Sequence, residues 1–200
     1  MGIVCWMLGL TPRQIGLLLS EPDLASDLTQ VVQLMPREES VLADQHIPGM
    51  KDYIARHRER KKRITVLMPI ENALCLENSW HILMYTIHRT TGSDQKSIPR
   101  FFSGDPLWSD LEYSPPILQR PEITRKLSEA TSLFDLDQVK KQASYRKMVD
   151  DNVYGIPIGS PSDEDGESEV RRVIDVFFPK FKEYLRETAL KQNGLLIWLR

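Results

Sequence analysis

Apolar positions alternate between two periods along this chain, and the changes of period mark its elements. Ile3 to Leu8 is a short run of bulky apolar residues, the pattern of a buried strand. Thr11-Pro12-Arg13-Gln14 then opens a helix. Thr11 can cap it, Pro12 suits the first helical position, and Gln14 can complete a capping box. Ile15, Leu18 and Leu19 line its apolar face. Pro22 opens a second helix carrying Leu24, Leu28, Val31 and Val32. Residues 36–49 read as a loop that closes on the turn signal Pro48-Gly49. Met50 to about Lys62 is a charged helix, and Ile64 to Met68 reads as a second strand.

Leu76 to His88 reads as one amphipathic helix. At about 100° per residue, Leu76, Trp80, Leu83, Met84 and Ile87 share one face. Glu77, His81, Tyr85 and His88 fall together beside it. Residues 90–121, rich in Pro and Gly, read as a long irregular loop, a feature that is often functional. Ile123, Leu127, Ala130 and Phe134 mark a further helix. Asp135 caps the next one, with Gln138 three residues on and a staple between Phe134 and Val139. Residues 155–169 read as an acidic loop. Val170 to Leu185 repeats at helical spacing, with a kink or restart expected at Pro179. Gly194 ends that helix, and Leu195 to Leu199 is a last apolar strand.

This order predicts a helix-rich α/β fold. A small mixed sheet takes strands from both ends of the chain, with helices on both faces, as a three-layer sandwich. Two hundred residues fit one domain, residues 1–200, with a core that needs no staples.

Composition narrows the function classes. A net charge of −2 gives no global pull toward nucleic acid or an anionic membrane. The two cysteines, Cys5 and Cys75, lie in apolar runs and read as reduced thiols. No run reaches the roughly 20 apolar residues of a membrane span. The start, MGIVCWMLGL, lacks the basic region and cleavage site of a signal peptide, so a cytoplasmic location is expected. Met1-Gly2 suggests acylation, but Trp6 occupies the position that motif reserves for Ser or Thr.

Three places gather functional side chains. Glu77/His81 and His81/Tyr85 are both i, i+4 pairs. A carboxylate beside an imidazole raises its pKa and orients it, as a general base requires. In that reading His81 is the base, Glu77 its orienter and Tyr85 a donor; a polar helix flank with no chemistry is the alternative. His81 and His88 stand about 10.5 Å apart along the axis, too far to share one metal. The run Arg56 to Arg63 is the basic cluster, which can hold phosphates or can simply be a solvated helix end. No aromatic residues interleave it, and nucleic acid is not the expected partner. Asp105, Asp110 and Glu112 crowd the irregular loop near Trp108 and Tyr113, where a cationic or sugar-like ligand can be held. Walker-type, GxGxxG, HExxH, GxSxG and CxxC motifs are all absent, and no cofactor is implied.

Several segments, in order, carry a resemblance. MGIVCWMLGLTPRQIGLLLSEPD, LENSWHILMYTIHRTTGSD, FFSGDPLWSDLEYSPPILQRPEI, DNVYGIP and the terminal helix with GLLIWLR together resemble the YfbM-like family, a bacterial domain of unknown function numbered 1877. The resemblance implies an α/β fold with helices on both sides of a sheet and no settled activity. In this family the Trp-His helix usually reads Trp-His-x-Leu-His-Tyr. Here Met84 stands where the second histidine would be. The glycines of the family's loop are thinned around Tyr113, and the basic run at 56–63 is atypical.

The expectation is a non-catalytic module that binds a small molecule or a protein in a cleft between the Trp80 helix and the loop at 101–116, with Trp80, Asp105, Trp108 and Tyr113 as ligand contacts. The alternatives are an acid/base or hydrolytic enzyme built on Glu77, His81 and Tyr85, and an immunity-type protein that neutralises another protein.

Overall fold

The two ends of the chain form the middle of the sheet. Strand β1 (Cys5–Leu10) and strand β5 (Gly194–Leu199) run antiparallel over their whole length, from Cys5 opposite Leu199 to Leu10 opposite Gly194. The computed structural model describes residues 3–21, 24, 27–28, 50–90, 103–107, 115–156 and 162–199. Within them the elements between the two central strands are α1 (Pro12–Ser20), α2 (Met50–Leu67), β2 (Leu74–Cys75), α3 (Trp80–Thr90), β3 (Asp105–Pro106), β4 (Ile117–Gln119), α4 (Pro121–Ser132), α5 (Leu136–Gln142), α6 (Tyr145–Asp150) and α7 (Asp163–Leu190). Single 3-10 turns lie at Ile70–Asn72 and Glu77–Ser79. The strand order is β2-β1-β5-β4-β3, and every pairing is antiparallel where a mixed sheet was expected.

The sheet is apolar on both sides because helices cover both sides. Cys5, Met7, Leu195 and Ile197 point into a core shared with α3 to α7. Leu8, Leu10, Leu118, Leu196 and Trp198 point the other way, onto α1 and the end of α2. Successive strand residues face opposite layers, so continuous apolar strands are required. Trp6 and Trp198, directly opposite in register, stack at 6.3 Å. The architecture is therefore α/β with three layers.

Local signals fix several helix starts. Thr11 Oγ1 accepts from the Gln14 N–H, and Gln14 Oε1 accepts from the Thr11 N–H at 2.9 Å. The same Gln14 amide donates to the Leu67 carbonyl at 2.8 Å, satisfying an orphan acceptor at the end of α2. Asp135 and Gln138 form the second capping box.

Four expectations are corrected. Ile64 to Met68 is not a strand: α2 continues to Leu67, with Ile64 and Met68 buried and Val66 85% exposed, and the second strand is Leu74–Cys75. Loop 90–121 contains β3 and β4. Loop 155–169 ends earlier, because Ser162 caps α7 and Asp163, Glu164 and Asp165 form its first turn, where carboxylates offset the helix dipole. Finally, α7 runs through Pro179 without a restart. The buried residues Val173, Ile174, Phe178, Phe181 and Leu185 anchor it on both sides of the proline, against a helix-interior cost of about 3 kcal/mol. The 36–49 loop lies outside the described residues. No helix among the described residues is long and apolar enough to cross a membrane.

Candidate functional site

Between β2 and α3 the chain turns a sharp corner. Glu77 has φ +49°, a left-handed conformation that few non-glycine residues adopt. Its N–H donates to the Cys75 sulfur. The helix proper starts only at Trp80. This geometry undoes the wheel that placed Glu77 beside His81. Glu77 is exposed, and no hydrogen bond or ion pair joins it to His81 among the described residues.

His81 has a different partner. Its Nδ1 accepts from the Tyr154 N–H at 2.9 Å, and its ring stacks on Trp80 at 4.9 Å. Burial pushes its pKa below the ordinary value, with no carboxylate pulling it up. The lone pair a general base would use is already occupied, and the neutral ring then carries its proton on Nε2.

Tyr85 also faces elsewhere. Its hydroxyl donates to Asp151 Oδ2 at 2.5 Å and accepts from Arg89 Nη1 at 3.3 Å. Burial, then the Asp151 hydrogen bond, raises its pKa. The expected Glu77-His81-Tyr85 unit is therefore not joined: His81 and Tyr85 have separate partners, and no hydrogen bond links Glu77 to either among the described residues.

Trp80 and its neighbours clamp the start of the chain. The indole N–H donates to the Ile3 carbonyl at 3.1 Å, and the Tyr154 hydroxyl accepts from the Ile3 N–H at 2.5 Å. Trp80 is core, only 9% exposed. Asp105 pairs with Arg120 at 3.0 Å on β3. β2, which leads into the corner, and β3 are opposite edges of the sheet. Four spacings of about 4.8 Å separate them by roughly 19 Å. Trp80 and Asp105 thus do not share the expected cleft, and Trp108 and Tyr113 lie outside the described residues. In the basic run, Arg60 pairs with Asp27, Arg63 with Glu21 and Lys62 with Glu59.

The groove the structure does form is on the other side of the corner. About 360 Å³ of space lies between β2, the Glu77–Ser79 turn, the start of α3 and the middle of α7. Ile82, Val173, Val176 and Phe177 supply its apolar surface, and Glu77 and Lys180 stand at its rim. That is the lower end of the size range of small-ligand pockets. Larger hollows of 630 and 560 Å³ each lie along one helix, α7 from Asp163 to Asp175 and α2 from Ala55 to Lys62, without a second wall. Arg172 and Glu169 close one end of the groove as a two-point pair, with Nε–Oε2 at 2.9 Å.

Gly155 (φ +84°) packs so closely against this corner that a Cβ there would lie 2.2 Å from the Asn78 carbonyl oxygen. The 151–156 loop is thus held from two directions, by Gly155 on Asn78 and by Tyr154 on His81. Sequence reading missed the groove because its two walls, residues 75–82 and 169–180, lie about 90 residues apart and only the tertiary fold brings them together. The signal was present: Glu169, Arg172, Val173, Val176 and Lys180 recur at helical spacing.

Among the described residues, no three His, Cys, Asp or Glu side chains gather to hold a metal ion.

A three-layer α/β domain with a short-edged antiparallel sheet and a groove beside one edge is the class this chain falls in. It belongs to a family described as a domain of unknown function (DUF1877), whose profile matches residues 1–198. A solved structure similar to it is that of a protein of unknown function, YfbM, from Escherichia coli. The likeness is 13% in sequence, covers 98% of this chain and 99% of that one, and has a TM-score of 0.58, which establishes the shared fold. Among curated protein sequences, none matches.

Proposed function

We propose that residues 1–200 act as one non-catalytic binding module, and that its ligand occupies the groove between the β2 corner and α7. One observation carries the reading: two stretches far apart in sequence, residues 75–82 and 169–180, meet there beside Gly155 and line the groove with apolar side chains and charged groups of both signs. Convergent polar groups of this kind fix the orientation of a bound ligand. The walls also come from helices and a turn pinned by Gly155 and His81, so the site needs little ordering on binding.

Binding is preferred over acid/base or hydrolytic catalysis for a specific reason. The Nδ1 of His81 is already an acceptor, and Glu77 and Tyr85 are directed to other places. Two unbridged cysteines suit a reducing, cytoplasmic setting in a bacterial cell.

A thermal-shift screen tests the proposal, using amino acids, dipeptides, organic acids, sugars and nucleosides on the parent and on Val176→Asp. Val176 is 40% exposed, so the change places a charge in the groove without opening the core. The expected result is a compound that stabilises the parent and not the variant. A compound that stabilises both equally, or none that stabilises the parent, overturns the groove as a small-molecule site.

A further inference from the structure

The groove also lies along one edge of the sheet, and that points to the chemical class of its occupant. β2 is the first strand in the order, so one of its sides meets β1 and, among the described residues, the other meets no strand. Alternate residues of an antiparallel strand bond to the same neighbour. Leu76 donates to the Cys5 carbonyl at 2.9 Å, and Leu74 lies opposite Met7. Cys75, between them, therefore turns its N–H and C=O away from β1. No described residue hydrogen-bonds either group, and Cys75 lines the groove. The opposite wall is a helix, α7. An edge strand facing a helix across a groove is the arrangement that accepts an added strand.

Resting on the proposed groove, we infer that its occupant is an extended peptide segment of a partner protein, which pairs with β2 through Cys75. Charge complementarity sets its sequence. Lys180 lies 5.7 Å from the Phe177 ring centroid, and among the described residues no carboxylate pairs with it. The neighbouring cation, Arg172, is already held by Glu169. Glu77, at the corner, has no described cationic partner. A segment with an apolar residue between an acidic and a basic one satisfies all three features. The apolar side chain covers Val176 and Phe177, the acid meets Lys180, and the base meets Glu77.

Peptide selection tests this. A phage-displayed random heptapeptide library is panned against the full chain, and the enriched sequences are synthesised for titration. The expected consensus has one aliphatic or aromatic residue flanked by opposite charges. Lys180→Glu, on the exposed side of α7, should weaken binding at least tenfold while leaving the melting temperature unchanged. N-methylation of one backbone amide of the peptide, scanned along its length, should give a similar loss at a single position.

No enrichment, or peptides indifferent to both changes, overturns the inference. The two readings separate cleanly. A small molecule that stabilises the parent and not Val176→Asp, together with no peptide binding, leaves the groove standing and removes the peptide. Failure of both screens removes both.

Discussion

Gly155→Ala is the sharpest test of how the corner beside the groove is held. The native φ of +84° disfavours any side chain, by roughly 1–2 kcal/mol for a left-handed residue. The second cost is contact. The new Cβ would start 2.2 Å from the Asn78 oxygen and 3.2 Å from its carbonyl carbon. Both are backbone atoms, so no rotamer change relieves the overlap. Loop 151–156 or the Glu77–Ser79 turn has to retreat by about 1 Å to reach ordinary van der Waals separation. Forcing packed segments apart costs typically another 1–3 kcal/mol. The sum is about 3 kcal/mol, or roughly 6–12 °C of melting temperature for a chain of this length. Thermal and urea unfolding of parent, Gly155→Ala and Gly155→Asn measure it. Asparagine tolerates left-handed backbone but carries the same Cβ, so it should recover no more than about 1 kcal/mol of the alanine loss. An alanine variant within a degree of the parent would refute the contact. Full recovery by asparagine would refute the division of the cost.

Two further outcomes are expected. Tyr184→Phe removes a hydroxyl that accepts from the Gly9 N–H at 2.8 Å and donates to the Met7 carbonyl at 3.2 Å, where β1 runs on past the end of β2. Leaving that N–H without a partner should cost about 1–3 kcal/mol in urea denaturation, and a cost under about 0.3 kcal/mol would show that water replaces the hydroxyl freely. His81→Asn keeps an acceptor for Tyr154 but does not titrate. Because burial lowers the folded pKa of His81, the unfolded chain binds the proton more readily, so the parent should lose stability relative to the variant as pH falls below about 6.5 and not above it. Equal urea midpoint differences at pH 7.5, 6.5 and 5.5, or a difference of opposite sign, would remove His81 from the pH response.

What could be read from the sequence was local. Thr11/Gln14 and Asp135/Gln138 are three-residue signals whose chemistry closes on itself, and both capping boxes form as expected. The central strands were legible because each is short and apolar at five of its six positions. Ile64-Thr65-Val66-Leu67-Met68 misled for a tertiary reason. Its β-branched residues favour a strand, but Ile54, His57 and Ile64 bury one helical face, Met68 is buried just past its end, and Gln14 holds Leu67 there. β3 and β4 are two and three residues long, too short to show a period. The acidic tract 163–165 is the first turn of a helix, read as loop because its carboxylates serve the helix dipole and not an apolar face. Glu77 could not be placed at all, because a positive φ at a glutamate leaves no trace in composition or spacing.

The corner also limits what the Trp-His helix can do. His81 cannot accept a proton from a substrate at Nδ1 while that atom holds the Tyr154 N–H. Freeing it would leave a backbone donor unsatisfied, at about 1–3 kcal/mol, and would release the loop that Gly155 seats against Asn78. The same release would loosen the turn carrying Glu77, which is one rim of the groove. Catalysis by His81 and a rigid groove are therefore opposed demands on one set of contacts. The contacts present serve rigidity. Met84, three residues after His81 on the same helix, packs against the core of α3 to α7.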